Sequence, residues 1–293
     1  MCKVLNMGSI NYDYVYAVPH FVRAGETLSA ESRRVFHGGK GLNQSIALAR
    51  AGGSVTHAGK VGRDGDPLIK TLSEAGVDAS AVTQSKSTTG HTIIQVDPSG
   101  ENCILVFPGA NKDLDEAFVD NMLSYFNEGG IVLLQNEVSC ISYAMKSAKS
   151  KGMKIAFNPS PFEQEINNYP LELVDWLILN ETEGSSLTGQ SGPMDILTTL
   201  GKKYPKASVI LTLGEAGVLC FCDGEVLRHK SYEVNVVDTT AAGDTFTGYF
   251  ISSIAADKSM EEALRLASVA ASISVSKQGA AASIPLLEEV LKF

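Results

Sequence analysis

Residues 238–250 read DTTAAGDTFTGYF. Just upstream, Tyr232 to Val237 alternates in polarity and predicts a strand. Just downstream, Phe246, Phe250 and Ile254 fall on one stripe and predict a helix. Between them lie Ala241, Ala242 and Gly243, small residues that let a backbone come close to a ligand. A helix opening on such a turn offers unpaired N–H groups and the positive end of its dipole, which together favour an anion. Asp244 sits at the same spot. A carboxylate binds anions poorly, but it is well placed to take a proton from a hydroxyl attacking a phosphoryl group. The other reading is a tight strand–helix turn in which Asp244 only caps the helix.

The rest of the chain repeats the order of strand, then helix. Val4 to Met7, Val55 to Val61, Ile131 to Leu134, Lys154 to Phe157, Trp176 to Leu179 and Val209 to Leu213 are apolar runs. Helical spacing appears over Gly41 to Ala51, Pro67 to Ala75 and Ser139 to Lys151. Asp115 predicts an N-cap ahead of Phe118, Met122 and Phe126. Continuous apolar strands separated by helices predict a parallel sheet covered on both faces. The fold class is therefore α/β, a doubly wound, mainly parallel sheet flanked by helices. Tyr14 to Val35 and Thr89 to Val96 alternate instead, and HTIIQV at 91–96 predicts an antiparallel strand.

Composition narrows the partners. The 293 residues carry a net charge of −9 with no Lys/Arg cluster, which argues against nucleic acid. No apolar run reaches the roughly 18 residues of a membrane span. The apolar part of MCKVLNMGS is short for a secretion signal, so the expected location is cytoplasmic. Five cysteines with no C-x-x-C pair predict free thiols, and Cys220 and Cys222 share a strand face suited to core packing. No two histidines have metal-pair spacing, which argues against zinc. Neither G-x-x-x-x-G-K-[ST] nor G-x-G-x-x-G occurs, so phosphate must be held by another device.

Four further stretches carry candidate polar groups. HGGKGLNQ at 37–44 is a second glycine-rich turn opening a helix. Within it, Asn43 offers both donor and acceptor, which suits a polyol. Lys40 either steers phosphate charge or is a solvated lysine. Asn11 and Asp13, in GSINYD, face the same way if the segment is extended, and they read equally as turn formers. Glu137, in LQNE, lies just past an apolar strand, at the end where parallel sheets bind ligands. Asn180 and Glu183, in NETE, also read as a helix cap.

DTTAAGDTFTG and HGGKGLNQ together resemble the two signatures of the ribokinase-like (PfkB) carbohydrate kinases, and the resemblance runs from MGSINYD at 7–13 to GAAAS at 279–283. It implies ATP-dependent phosphorylation of a small sugar, first D-ribose at its 5-hydroxyl. Deoxyribose, a ketose or a nucleoside are alternatives, and a non-catalytic sugar sensor is the competitor from another class. It makes Asp244 the base and the amides of Ala241, Ala242, Gly243 and Asp244 the anion hole. It gives Asn11, Asp13, Gly39, Lys40, Asn43 and Glu137 to the sugar side. It gives Asn180, Thr212, Gly214, Gly243 and Ser268 to the nucleotide, with Glu183 in the magnesium region. It places a potassium ion among Asp238, Thr240, Ser274, Lys277, Gly279 and Ser283. It further implies one kinase domain over 1–293, with a small antiparallel β lid from about 14–36 and 89–107 shared in a homodimer. The Phe107-Pro108 pair before GANKDL at 109–114 departs from the family's usual pair, beside the sugar pocket.

Overall fold

Runs such as IVLL at 131–134 are apolar at every position because the sheet they join is covered on both faces. The computed structural model describes residues 2–293. In chain order the elements begin with β1 (Val4–Met7), β2 (Asn11–Ala17), β3 (Ser32–Gly38), α1 (Lys40–Arg50), β4 (Val55–Val61), α2 (Asp66–Glu74) and β5 (Asp78–Gln84). They continue with β6 (Gly90–Val96), β7 (Asn102–Phe107), α3 (Glu116–Ser124), β8 (Ile131–Gln135), α4 (Ile141–Ser150), β9 (Lys154–Asn158) and β10 (Trp176–Asn180). The last are α5 (Glu181–Thr188), α6 (Pro193–Lys203), β11 (Ser208–Thr212), β12 (Val218–Cys222), β13 (Glu225–His229), α7 (Ala242–Ala255), α8 (Met260–Val275) and α9 (Leu287–Lys292).

The large sheet has nine strands in the order β13-β12-β11-β10-β9-β8-β1-β4-β5. It is parallel from β5 to β11, and β12 and β13 add antiparallel. Alternate residues feed two cores. Val4, Ile131, Leu133 and Ile210 pack with Leu42, Ile46 and Phe250 on the face of α1, α7 and α8. Leu5, Met7, Val132, Leu134, Val209 and Leu211 pack with Phe118, Met145 and Leu197 on the face of α3, α4 and α6. From the central β1 the chain runs outward to β4 and β5, then returns to β8 on β1's other side. That reversal opens a crevice beyond the carboxyl ends of β1 and β8, where open α/β sheets bind ligands.

Two expectations need correction. Tyr232 to Val237 is not a strand. Its amides turn to α8, with Tyr232 N–H donating to Ser272 Oγ at 3.4 Å and Val237 N–H to Val275 O at 2.8 Å. Tyr232 packs against the core while Val236 and Val237 are exposed, so the segment follows α8 without joining a sheet ladder. The lid, in turn, is a four-stranded sheet in the order β3-β2-β6-β7, and it is not wholly antiparallel. Its outer pairs are antiparallel, while its centre, β2 with β6, is parallel. Its strands also begin earlier than the sequence suggests, at Asn11 rather than residue 14.

Candidate active site

The crevice is built where α1 and α7 meet. Gly248 makes that meeting possible, because a Cβ there would collide with Ala47 and the backbone of α1. The close approach brings Asp244, in the first turn of α7, against Asn43 and Gln44 of α1. Asn43 Nδ2 donates to Asp244 Oδ2 at 3.0 Å, and Gln44 Nε2 donates to Asp244 Oδ1 at 2.9 Å. Both carboxylate oxygens are thereby aimed by amides, and Asp244 is 7% exposed. Asn43 Oδ1 is buried without a partner, so α1 also presents an unsatisfied acceptor.

The turn ahead of Asp244 is held open. Ala241 takes a left-handed conformation (φ 61°), which is unfavourable for alanine, and no side chain caps α7. The Ala242 N–H turns back to Thr239 O at 3.3 Å, while those of Gly243 and Asp244 meet no acceptor among the described residues. A Cβ on Gly243 would meet nothing within 4 Å. An uncapped dipole end beside open space is suited to a phosphoryl group.

The start of α1 is built differently. Gly39 precedes it at φ 94°, a conformation that glycine adopts without strain. The Lys40 N–H donates to Glu137 Oε2 at 3.0 Å, and Ser9 Oγ donates to the same oxygen. Burial pushes the Glu137 carboxyl above its ordinary range, against the pull of Lys40 and Ser9. Burial also works to lower the Lys40 ammonium, but Asp244, Glu137 and Glu183 outweigh it and hold the group charged. Lys40 is half-exposed and its ammonium forms no ion pair among the described residues, with Asp244, Glu137 and Glu183 acting on it through space.

The four-stranded sheet contributes the opposite wall. Asp13 and Thr92 pair across β2 and β6, with Thr92 Oγ1 donating to Asp13 Oδ1 at 2.6 Å. Burial raises the Asp13 carboxyl to about 6, helped by Glu137 and Asp244 and opposed by Thr92. Asn11 is buried and accepts from Asn111 Nδ2 at 2.7 Å, and Asn111 Oδ1 accepts from Ile10 N–H at 3.0 Å. Asp13, Glu137, Lys40 and Asp244 thus share one electrostatic neighbourhood.

The nucleotide-side candidates lie along the same strand ends. Asn180 and Glu183 form a capping box for α5, with Glu183 N–H to Asn180 Oδ1 at 2.9 Å and Asn180 N–H to Glu183 Oε2 at 3.0 Å. The capping alternative is therefore real. Glu183 Oε1 makes no hydrogen bond, and one carboxylate oxygen suffices for a magnesium ion that keeps its waters and phosphate ligands. No cluster of three or more His, Cys, Asp or Glu placed for a metal occurs among the described residues. Thr212 Oγ1 donates to Leu179 O at 3.3 Å, Gly214 borders open space, and Ser268 is buried on α8.

The two loops expected to hold potassium do come together. Asp238 Oδ1 accepts from Thr240 N–H and Oδ2 from Gly279 N–H, both at 2.9 Å. Burial pushes the Asp238 carboxyl up, and these donors bring it net below its ordinary value. The carbonyls of Asp238, Thr240, Lys277 and Gly279 receive no hydrogen bond among the described residues. The Ser274 carbonyl is taken by Lys277 N–H at 3.1 Å, and Ser283 Oγ donates to Ala280 O at 2.8 Å. Lys277 Nζ is drawn away to Glu289 at 2.6 Å, so it does not fill the loop.

Sequence reasoning missed Gln44, Asn111, Ser9 and Thr92. Gln44 stood inside HGGKGLNQ and Asn111 inside GANKDL. Their partners lie far along the chain, so no local spacing marks them.

The profile of the pfkB family carbohydrate kinases matches residues 1–287. The chain is 37% identical to a ribokinase of Haemophilus influenzae over 296 residues, covering 98% of this chain and 96% of that one. It is 30% identical to a deoxyribokinase of Salmonella typhi, covering 97% and 95% of the two. The structure of Arabidopsis thaliana ribokinase complexed with ribose and ATP superposes with a TM-score of 0.87 at 32% identity, covering 99% of this chain and 98% of that one.

Proposed function

The chain belongs to the pfkB family of carbohydrate kinases, and on that premise we propose that it transfers the γ-phosphoryl group of ATP to the 5-hydroxyl of D-ribose. The observation that carries this reading is the Asp244 carboxylate, fixed by Asn43 and Gln44 beside the open first turn of α7.

Asn11, Asp13, Asn43 and Glu137 hold the sugar hydroxyls, Asp13 and Glu137 as acceptors and Asn43 through its unpaired Oδ1. Asp244 takes the proton as the sugar oxygen forms its bond to phosphorus. The bond from phosphorus to the bridging oxygen breaks, and that oxygen leaves on ADP. The Gly243 and Asp244 N–H groups face the charge that develops on the transferred group. Lys40 adds positive charge from the α1 side. Asn180, Thr212, Gly214 and Ser268 border the nucleotide, and Glu183 supplies the protein's oxygen to magnesium. Magnesium, when bound, neutralises phosphate charge. The unclaimed carbonyls of Asp238, Thr240, Lys277 and Gly279 suit a potassium ion, which would stiffen the turn before Asp244.

We take the chain as one kinase domain whose four-stranded sheet covers the sugar. All six residues of the edge strand β7 are exposed, Ile104 to Phe107 among them, and a second copy covering that edge makes a homodimer. Free thiols and use of ATP suit the cytoplasm.

One observation favours a second substrate. The 30% identical deoxyribokinase, with Phe107-Pro108 beside the pocket, makes 2-deoxyribose the runner-up. The deciding experiment is a coupled assay with ATP against ribose, deoxyribose, fructose and adenosine. Highest kcat/KM on ribose supports the proposal, and highest kcat/KM on another sugar replaces the substrate while keeping the chemistry.

A further inference from the structure

Four adjacent strands of the large sheet place polar side chains on the α1 face, at the carboxyl ends of β8 and β9 and further back along β1 and β4. They are His57 on β4, Asn6 on β1, Gln135 on β8 and Asn158 on β9. Asn6, His57 and Gln135 are fully buried, and Asn158 is 9% exposed. Polar groups in a core need partners, and here the partners form a chain with one direction.

The direction starts at a backbone carbonyl, which can only accept. Asn6 Nδ2 donates to Gly41 O at 2.8 Å and to Ser45 Oγ at 2.7 Å. That leaves Asn6 Oδ1 to accept from Gln135 Nε2 at 2.9 Å. Gln135 Nε2 also donates to Gln44 Oε1 at 2.7 Å, so Gln44 must turn its own Nε2 outward, to Asp244 Oδ1. A second anchor agrees. Asn158 Nδ2 donates to Ile178 O at 2.9 Å, and its Oδ1 then accepts from Gln44 Nε2 at 3.1 Å. Flipping either glutamine would set acceptor against acceptor.

We propose that Gln44 is a positioning residue for Asp244, its amide orientation dictated through Gln135 and Asn6 from the Gly41 carbonyl. The proposal rests on Asp244 being the base. The relay keeps one N–H aimed at the carboxylate in every turnover, which fixes the rotamer of Asp244. Its far end is electrically quiet. Ser45 Oγ meets His57 Nδ1 at 2.8 Å, and burial holds His57 down at about 4, hence neutral near pH 7. The charged groups that face Asp244 from neighbouring elements are Lys40 on α1, Asp13 on β2 and Glu137 after β8.

The test measures kcat and both KM values across pH for Gln44→Met, Gln44→Glu and Gln135→Met in the full chain, at saturating sugar so that Asp13 does not set the profile. Folding is checked by circular dichroism and Tm. Gln44→Met is expected to lower kcat roughly 10–100-fold with both KM values held, and to move the acid limb of kcat up by about one pH unit. Gln44→Glu, which keeps the shape, sets a second carboxylate against Asp244 and is expected to move the limb further up. Gln135→Met is expected to move it the same way, by less. An unshifted limb with unchanged kcat in folded Gln44→Met overturns the proposal, and Gln44→Glu decides alone if Gln44→Met does not fold. An unmoved Gln135→Met overturns the relay. Asp244→Asn is run beside them: if it stays active, the base assignment has failed, whereas an inactive Asp244→Asn with indifferent Gln44 variants means only the positioning role has failed.

Discussion

Two helices start within the same crevice, and they treat their free N–H groups in opposite ways. At α5 the sequence supplies its own solution, since Asn180 and Glu183 close a capping box and leave Glu183 Oε1 as the unbonded carboxylate oxygen. At α7 no side chain caps the helix, Ala241 is held left-handed, and the Gly243 and Asp244 amides stay unpaired. Both starts carry acidic residues in the first turn, so composition alone does not separate them. The difference lies in where the carboxylate is spent. Glu183 bends back onto its own helix start, whereas Asp244 is pulled sideways by two amides of α1. An acid that turns one oxygen to its own backbone keeps only the other for a ligand, whereas Asp244 has both of its oxygens aimed by a neighbouring helix, beside open amides.

The comparison breaks most visibly at Asp244. Asp244→Asn keeps the shape and loses the proton acceptor, so kcat should fall about 10²–10⁴-fold while ribose and ATP still bind. Calorimetric titration of both ligands, with kcat above a tenth of the parent, would refute the assignment. Asp13→Ala acts on the lid wall instead. It should raise the sugar KM roughly 5–150-fold, equivalent to about 1–3 kcal/mol, and leave the ATP KM alone. The same carboxyl gives a pH signature. Its folded value of about 6 lies above its unfolded value near 3.9, so it destabilises the fold at neutral pH, and that cost fades as pH falls from 6 toward 4. Over the same interval the protonated carboxyl accepts fewer hydroxyls. Sugar KM should therefore climb below pH 6 while Tm does not fall on this group's account.

Smaller effects sharpen the contrast between the helices. Potassium titrated into sodium- and potassium-free buffer at constant ionic strength should raise kcat several-fold without moving the sugar KM, because it would stiffen the turn before α7. A flat response removes the cation site and leaves the kinase reading intact. Glu183→Gln preserves a capping box but deletes the charge. Tm should stay put while the magnesium needed for half-maximal rate rises a few-fold. A lower Tm with an unchanged magnesium requirement would make Glu183 purely a cap.

The two glycine-rich helix starts and the alternation of apolar strands with helices were legible from residues alone, and they located the crevice. Side-chain direction was not. Tyr232 to Val237 alternates like a strand, yet its Tyr232 and Val237 amides bond to α8, and alternation does not say what a segment pairs with. The parallel pairing of β2 with β6 leaves no trace in either segment, since period two is the same for both directions. Gln44 reads as one more polar helical residue. Its role depends on Gln135, Asn158 and Asp244, which are 91, 114 and 200 residues away.

The pairing of α1 with α7 makes this enzyme fragile in an unexpected place. Gly248 lies one turn beyond Asp244 and faces Ala47 and the backbone of α1. A single added methyl group there would wedge the two helices apart and carry Asp244 off the amides that aim it. Tolerance to substitution should therefore follow this seam between two helices, where one hydrogen atom of Gly248 occupies the only room that Ala47 and the α1 backbone leave.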